Sequence, residues 1–184
     1  MKDFTDRRGP DTADEFWLLQ HRPVYTLGLN ADPAHVLASG DIPVVKVDRG
    51  GQVTYHGPGQ LIVYTLIDLK RASIGIRDLV SALENSVVRF VTKYDIDAAA
   101  RCDAPGVYVD GKKLASVGLR VRRGCSYHGL SLNVSMDTEP FTRINPCGFD
   151  DLSVTQLADL GLPTDIDAIG AELTTLLGAE LGLD

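Results

Sequence analysis

Residues 107–122, VYVDGKKLASVGLRVR, set Asp110-Gly111 between two runs rich in apolar residues. A two-residue pair that tolerates positive φ is the strongest short-range mark of a β-hairpin. The spacing predicts a strand entering near Val107, a returning strand from Lys112 to about Arg122, and another over residues 126–136. Antiparallel pairing follows from the hairpin itself. Outward from it, residues 61–69, LIVYTLIDL, read as a strand buried on both faces, and residues 42–47 as a short strand. Residues 76–94 give the clearest helix, since Ile76, Leu79, Val80, Leu83, Val87, Phe90, Val91 and Tyr94 recur at 3.6-residue spacing. SVTQ at 153–156 reads as a capping box, and Thr164-Asp165 opens a final helix with Ile166, Ile169, Leu173, Leu176 and Leu177 inside. The order predicts an α/β (α+β) fold, a mixed β-sheet flanked by helices, as one domain over residues 1–184.

The hairpin also separates two adjacent lysines. Side chains alternate along a strand, so Lys113 shares a face with Ala115, Val117, Leu119 and Val121, and Lys112 with Leu114, Ser116, Gly118, Arg120 and Arg122. Lys113 is therefore expected to point inward and Lys112 outward. An ammonium in a core is costly unless paired or deprotonated, which makes Lys113 a candidate catalytic group; a hairpin-end lysine could instead snorkel back to water. Cys147 is the second candidate. In RINPCGF, residues 143–149, Pro146 and Gly148 flank it in a turn that displays a side chain. A free thiol is mostly protonated at neutral pH, and a nearby lysine could favour the thiolate or take its proton. Cys102 and Cys125 fit inert buried thiols better.

RGGQVTYHGPGQ, residues 49–60, packs four glycines and a proline into twelve positions. It lacks the spacing of a phosphate-binding loop, so the alternative reading is a backbone lying close to a bound chain, with Tyr55 and His56 on the wall. His56 fits a structural hydrogen bond better than a general base. His128 alternates with Leu130, Leu132 and Val134, as a satisfied core histidine would.

Composition excludes several classes. Three cysteines, an odd and sparse set, match neither a disulfide framework nor a zinc pattern, so no metal is expected. No apolar run approaches the roughly 18–20 residues that span a bilayer, and the polar start MKDFTDRRGP is no secretory signal, so the expected location is cytoplasmic with no membrane partner. A net charge of −7 argues against nucleic acid. The charge is uneven, however. Residues 111–136 hold Lys112, Lys113, Arg120, Arg122 and Arg123 with no acid, whereas all charged residues from 148 onward are acidic. The arginines form a strip suited to an acidic protein partner.

RGGQVTYHGPGQ, DAPGVYVDGKKLASVGLRVRRGCSYHGLSLNV and FTRINPCGF, in this order, resemble the octanoyltransferases of lipoate biosynthesis, and HRPVYTLG at 21–28 fits as well. The resemblance runs from about Phe4 to Leu157, and family members usually carry further residues ahead of Phe4. It implies a biotin/lipoate ligase-like fold and transfer of an octanoyl group from octanoyl-acyl carrier protein to a lysine. The acceptors it implies are lipoyl domains of 2-oxoacid dehydrogenases and the glycine-cleavage H protein. It places the cysteine nucleophile on Cys147 and its partner on Lys113. It places substrate-binding backbone on Arg49, Gly50, Gly51, Gln52, Val53, Thr54, Tyr55 and His56, on Ser116, Val117 and Gly118, and on Gly129, Leu130 and Ser131. No cofactor is implied, because exchange of a thioester for an amide is downhill. The resemblance also gives the arginine strip a role, docking of the acidic carrier protein. Competing readings are an ATP-dependent lipoate or biotin ligase, which needs no cysteine, an amidotransferase with its cysteine elsewhere, and a non-catalytic carrier-binding module.

Overall fold

A computed structural model describes residues 1–146 and 152–183. A six-stranded sheet carries the fold, in the order β1 (Glu15–Leu19), β5 (Gln60–Leu66), β9 (Cys125–Asn133), β8 (Lys112–Arg122), β7 (Gly106–Val109) and β6 (Ala99–Ala100). Every neighbouring pair in it is antiparallel. A three-stranded sheet orders β3 (Val44–Lys46), β2 (Val24–Leu27) and β4 (Val53–His56), and its β2–β3 pair is parallel. Both sheets together make the architecture the mixed sheet with flanking helices expected from the sequence.

The hairpin closes as its residues dictate. Asp110 and Gly111 adopt φ of 48° and 75°, the two positive values a tight two-residue turn needs. Helix α2 (Ile76–Thr92) buries the apolar stripe Leu79, Leu83, Val87, Phe90 and Val91 against β7, β8 and β9. Each such apolar side chain contributes about 1.5–3 kcal/mol on full burial. Asp78 accepts the N–H of Gly75 at 2.7 Å and closes the start of α2. Helix α3 (Ile166–Leu181), with Asp165 capping Asp167 and Ala168, packs on α2 and β5. A short helix, α1 (Lys2–Arg7), lies on β9.

Alternation on β5 then splits the protein. Leu61 and Val63 join the core beneath α2 and α3, whereas Ile62 and Tyr64 face a cavity. The small sheet covers that cavity from the other side and has its own core of Tyr25, Val53, Tyr55, Met136, Phe141 and Ile144.

Two expectations change. SVTQ does not cap a helix through Ser153. Ser153 O accepts the N–H of Lys113 at 2.9 Å and Thr155 N donates to Lys113 O at 3.0 Å, so this stretch forms a bridge beside β8. The turn after it is a 3-10 helix at Leu157–Leu160. Cys102, read as buried, is exposed, while Cys125 is buried.

Candidate functional site

The cavity between the sheets has a volume of about 300 Å³. Its apolar wall includes Val24, Val45, Val47, Val53, Ile62, Val117 and Leu130. Such a wall suits an aliphatic chain, and the polar side chains beside it can fix orientation.

Of the residues singled out in the sequence, Arg49, Gly51, Gln52, Val53, Thr54, His56, Lys113, Ser116, Val117, Gly118, Gly129, Leu130 and Ser131 line it together. Gly50 is not in the lining; its N–H donates to Leu119 O at 3.0 Å and ties the glycine-rich segment to β8. Tyr55 faces away as well, because on β4 it alternates with Thr54 and His56 and packs on Tyr25 and Phe141 instead. Cys147 and Gly148 lie outside the described residues. Their flanks converge beside the hairpin, where Asn145, Pro146, Leu152 and Ser153 line a second cavity with Lys112.

Lys113 is 2% exposed, and Lys112 is exposed, as alternation predicts. The face differs from the expectation, however. Register slips between Val107, which pairs Ala115, and Tyr108, which pairs Lys113, leaving Leu114 as an extra residue. Such a bulge re-aims the side chains that follow it. Leu114 and Ala115 both enter the helix-side core, and Lys113 lines the cavity with Ser116 and Gly118. Its Nζ sits 5.3 Å from the centre of the Tyr108 ring.

Arg49 staples the small sheet. Its guanidinium donates to Thr26 O at 2.6 Å, to Thr26 Oγ1 at 2.8 Å and to Gly50 O at 2.8 Å. Glycine is required where this segment meets β2, because a methyl on Gly28 would fall 2.0 Å from Gly51 O. On β9, Gly129 has φ of +158°, and a methyl there would come 2.1 Å from Val63 O.

Histidines supply a polar edge. His56 Nδ1 lies 2.8 Å from Gln60 Oε1, and Gln60 in turn donates to Asn133 Oδ1 at 2.9 Å. Desolvation, opposed by the Gln60 contact and helped by Arg49, His21 and His128, pushes the His56 imidazole down to about 3. It is therefore neutral at pH 7. His128 is buried and satisfied, as expected, but it stands on the cavity wall. Its φ of +62° breaks strand alternation, so it stacks on its neighbour Tyr127 and both bind Asp48, at 2.9 and 2.7 Å. Burial alone would raise the Asp48 carboxyl, but hydrogen bonds from His128, Tyr127 and Lys2 hold it well below the carboxylate range. Burial pushes His128 down despite Asp48, and pushes His21 down as well. His21, whose Nε2 is 2.7 Å from Tyr64 Oη, also lines the cavity and had no signal beyond its place in HRPVYTLG.

The outer end of the arginine strip lies away from Lys113. Arg122 is nine residues along β8 from Lys113, about 30 Å at ~3.3 Å per residue. Arg122 and Arg123 both contact Asp6 of α1.

Among the described residues no helix is long and apolar enough to cross a membrane. A profile of the lipoyl protein ligase A/B catalytic domain matches residues 2–177. An octanoyltransferase of Methylococcus capsulatus is 58% identical over 182 residues, covering 99% of this chain and 88% of that protein. One from Alkalilimnicola ehrlichii is 60% identical over 173 residues, covering 94% and 80%. Among solved structures, a bipartite lipoate protein ligase of Thermoplasma acidophilum, determined with its E2 lipoyl domain, superposes with TM-score 0.74 at 16% identity over 100% of this chain and 77% of that one. A biotin protein ligase of Aquifex aeolicus gives 0.55 at 19% identity, over 68% and 51%. At those identities the likeness establishes the fold alone. The curated relatives, identical at more than half of the aligned positions along nearly the whole chain, decide the rest: the protein belongs to the lipoyl protein ligase A/B catalytic-domain family and is a transferase of the lipoyl(octanoyl) transferase type.

Proposed function

We propose that the protein moves an octanoyl group from octanoyl-acyl carrier protein to a lysine of lipoyl domains, through a thioester on Cys147. The observation that carries this reading is Lys113, a buried amine on the wall of an apolar cavity in a chain so similar to octanoyltransferases. Lys113 takes the proton of the Cys147 thiol, and the thiolate attacks the donor thioester carbonyl. Backbone N–H groups near the reacting carbonyl stabilise the oxyanion. The carrier thiolate leaves and recovers the proton from Lys113, while octanoyl-Cys147 remains. The acceptor lysine, a neutral amine, then attacks that thioester; Lys113 receives its proton as the amide forms, and returns it to the departing Cys147 thiolate. Atoms balance without ATP or a metal.

The cavity suits the cargo, because an eight-carbon tail buried at about 0.8 kcal/mol per CH₂ supplies several kcal/mol of binding. Arg49, Gly51 to Thr54, His56, Ser116 to Gly118 and Gly129 to Ser131 are assigned to substrate binding because they share its wall. The acceptors are the lipoyl domains of 2-oxoacid dehydrogenases and the glycine-cleavage H protein, and the expected compartment is the cytoplasm. The test is transfer to a purified lipoyl domain in buffer free of ATP and divalent metal. The native protein turns over; Cys147→Ala and Lys113→Met lose at least 100-fold, the scale of nucleophilic and acid–base catalysis. Strict ATP dependence, or full activity of Cys147→Ala, refutes the reading.

A further inference from the structure

Helix α2 carries an acid on its apolar stripe. Glu84 stands four residues after Val80 and three before Val87, and is only 7% exposed. A carboxylate removed from water is costly unless something in the fold pairs with it. Glu84 Oε1 accepts the N–H of Gly106 at 2.7 Å. Gly106 is the residue across which Lys113 lies, since a methyl built on it would meet Lys113 Cε at 2.8 Å and Ala115 O at 2.2 Å. On its other side the lysine has the Tyr108 ring. Burial pushes the Glu84 carboxyl up, and the Gly106 N–H and the Lys113 ammonium pull it back. Glu84 is absent from the cavity lining, so it can influence chemistry only through another group.

We propose that Glu84 is a positioning residue for Lys113: it fixes Gly106, against which the lysine stem packs, and its buried negative charge acts on the ammonium through space rather than as an ion pair. This rests on the reading of Lys113 as the proton carrier. The octanoyl-transfer cycle needs a lysine that gains a proton twice and loses it twice at one place. A charge behind it stabilises the protonated form at each gain, and a tethered Gly106 keeps the stem from filling the reacting space.

The experiment compares Glu84→Gln, which keeps an acceptor for Gly106 but removes the charge, with Glu84→Asp, which keeps the charge one methylene short. Glu84→Gln is expected to lower kcat by roughly 10- to 100-fold with the donor KM within about twofold, part of what acid–base catalysis supplies. Glu84→Asp is expected to retain more activity than Gln. A purely structural acceptor would give the opposite ranking, and that ranking overturns the proposal. A cycle with Lys113→Met adds a readout independent of activity. Each single substitution should lower Tm at pH 7, and the double variant should fall by less than their sum, with no further loss of kcat. Additive Tm losses overturn the proposal. If Lys113→Met keeps native turnover, the reading of Lys113 fails, and the Tm cycle alone then upholds or overturns the Glu84–Lys113 pairing.

Discussion

Lys113 reaches the cavity through one extra residue. Alternation identified the inward lysine of the pair correctly, yet assigned it the face of Ala115; the bulge at Leu114 turns it to the face of Ser116 instead. A bulge has no mark in a run of apolar residues, which is why the burial was legible and the facing was not. Glu84 did leave a mark, an acid at an apolar stripe position, and Cys147 was read from its Pro/Gly neighbours and from the motif that holds it. At this scale the histidines make a testable set. His21, His56 and His128 are all pushed below the ordinary imidazole value. In the unfolded chain they protonate near pH 6.5, whereas folded His56 resists down to about 3. Their stabilisation is thus fully present above about pH 6.5 and is lost as pH falls from there. The urea midpoint should decline between about pH 6.5 and 4, and less steeply in His56→Gln; equal slopes would contradict this. Asp48 acts at lower pH with the same sign, because its folded value is depressed. Asp48→Asn should lower Tm at pH 7, and its difference from the native protein should shrink as pH falls below about 4.

Elements were legible where they were long or closed by a distinctive turn. The hairpin, α2 and α3 follow from DG, a 3.6-residue stripe and an Asp cap, all local signals. Of the small sheet only β3 was legible, inside the strand expected over residues 42–47, while β2 and β4 were hidden. Its strands span three or four residues, and β4 runs inside the glycine-rich stretch that otherwise reads as a loop. What makes β4 a strand is its pairing with β2, a contact across more than twenty-five residues that no short window contains. The glycines of this layer and of β9 have a steric basis that can be tested. Gly129→Ala should cost roughly 2–4 kcal/mol, the range for strain and close backbone approach, and lower Tm by roughly 5–15 °C. A Tm within about 2 °C of native would show that β5 and β9 separate more easily than the 2.1 Å approach to Val63 O implies.

Across the whole molecule, the outer arginines of β8 and Lys113 are separated. Arg120, Arg122 and Arg123 were read as a docking strip for the acidic carrier; of these, Arg122 and Arg123 lie at the far end of β8 from Lys113 and already face Asp6. A composition count locates charges in sequence; only the length of the strand shows that these are about 30 Å from the buried amine. Arg122→Glu combined with Arg123→Glu should therefore leave the KM for octanoyl-acyl carrier protein within about twofold of native at low ionic strength, where exposed charges act most strongly. A rise of tenfold would restore the strip as the docking site.

The central claim is covalent transfer from a cysteine served by a buried lysine. Its most direct test is a single-turnover mass measurement with octanoyl-acyl carrier protein, without ATP. The account predicts an octanoyl adduct on the peptide holding Cys147, which disappears as an equal amount of octanoyl-lysine forms on an added lipoyl domain. An unmodified Cys147 peptide during turnover, or an adduct that does not chase, would contradict it.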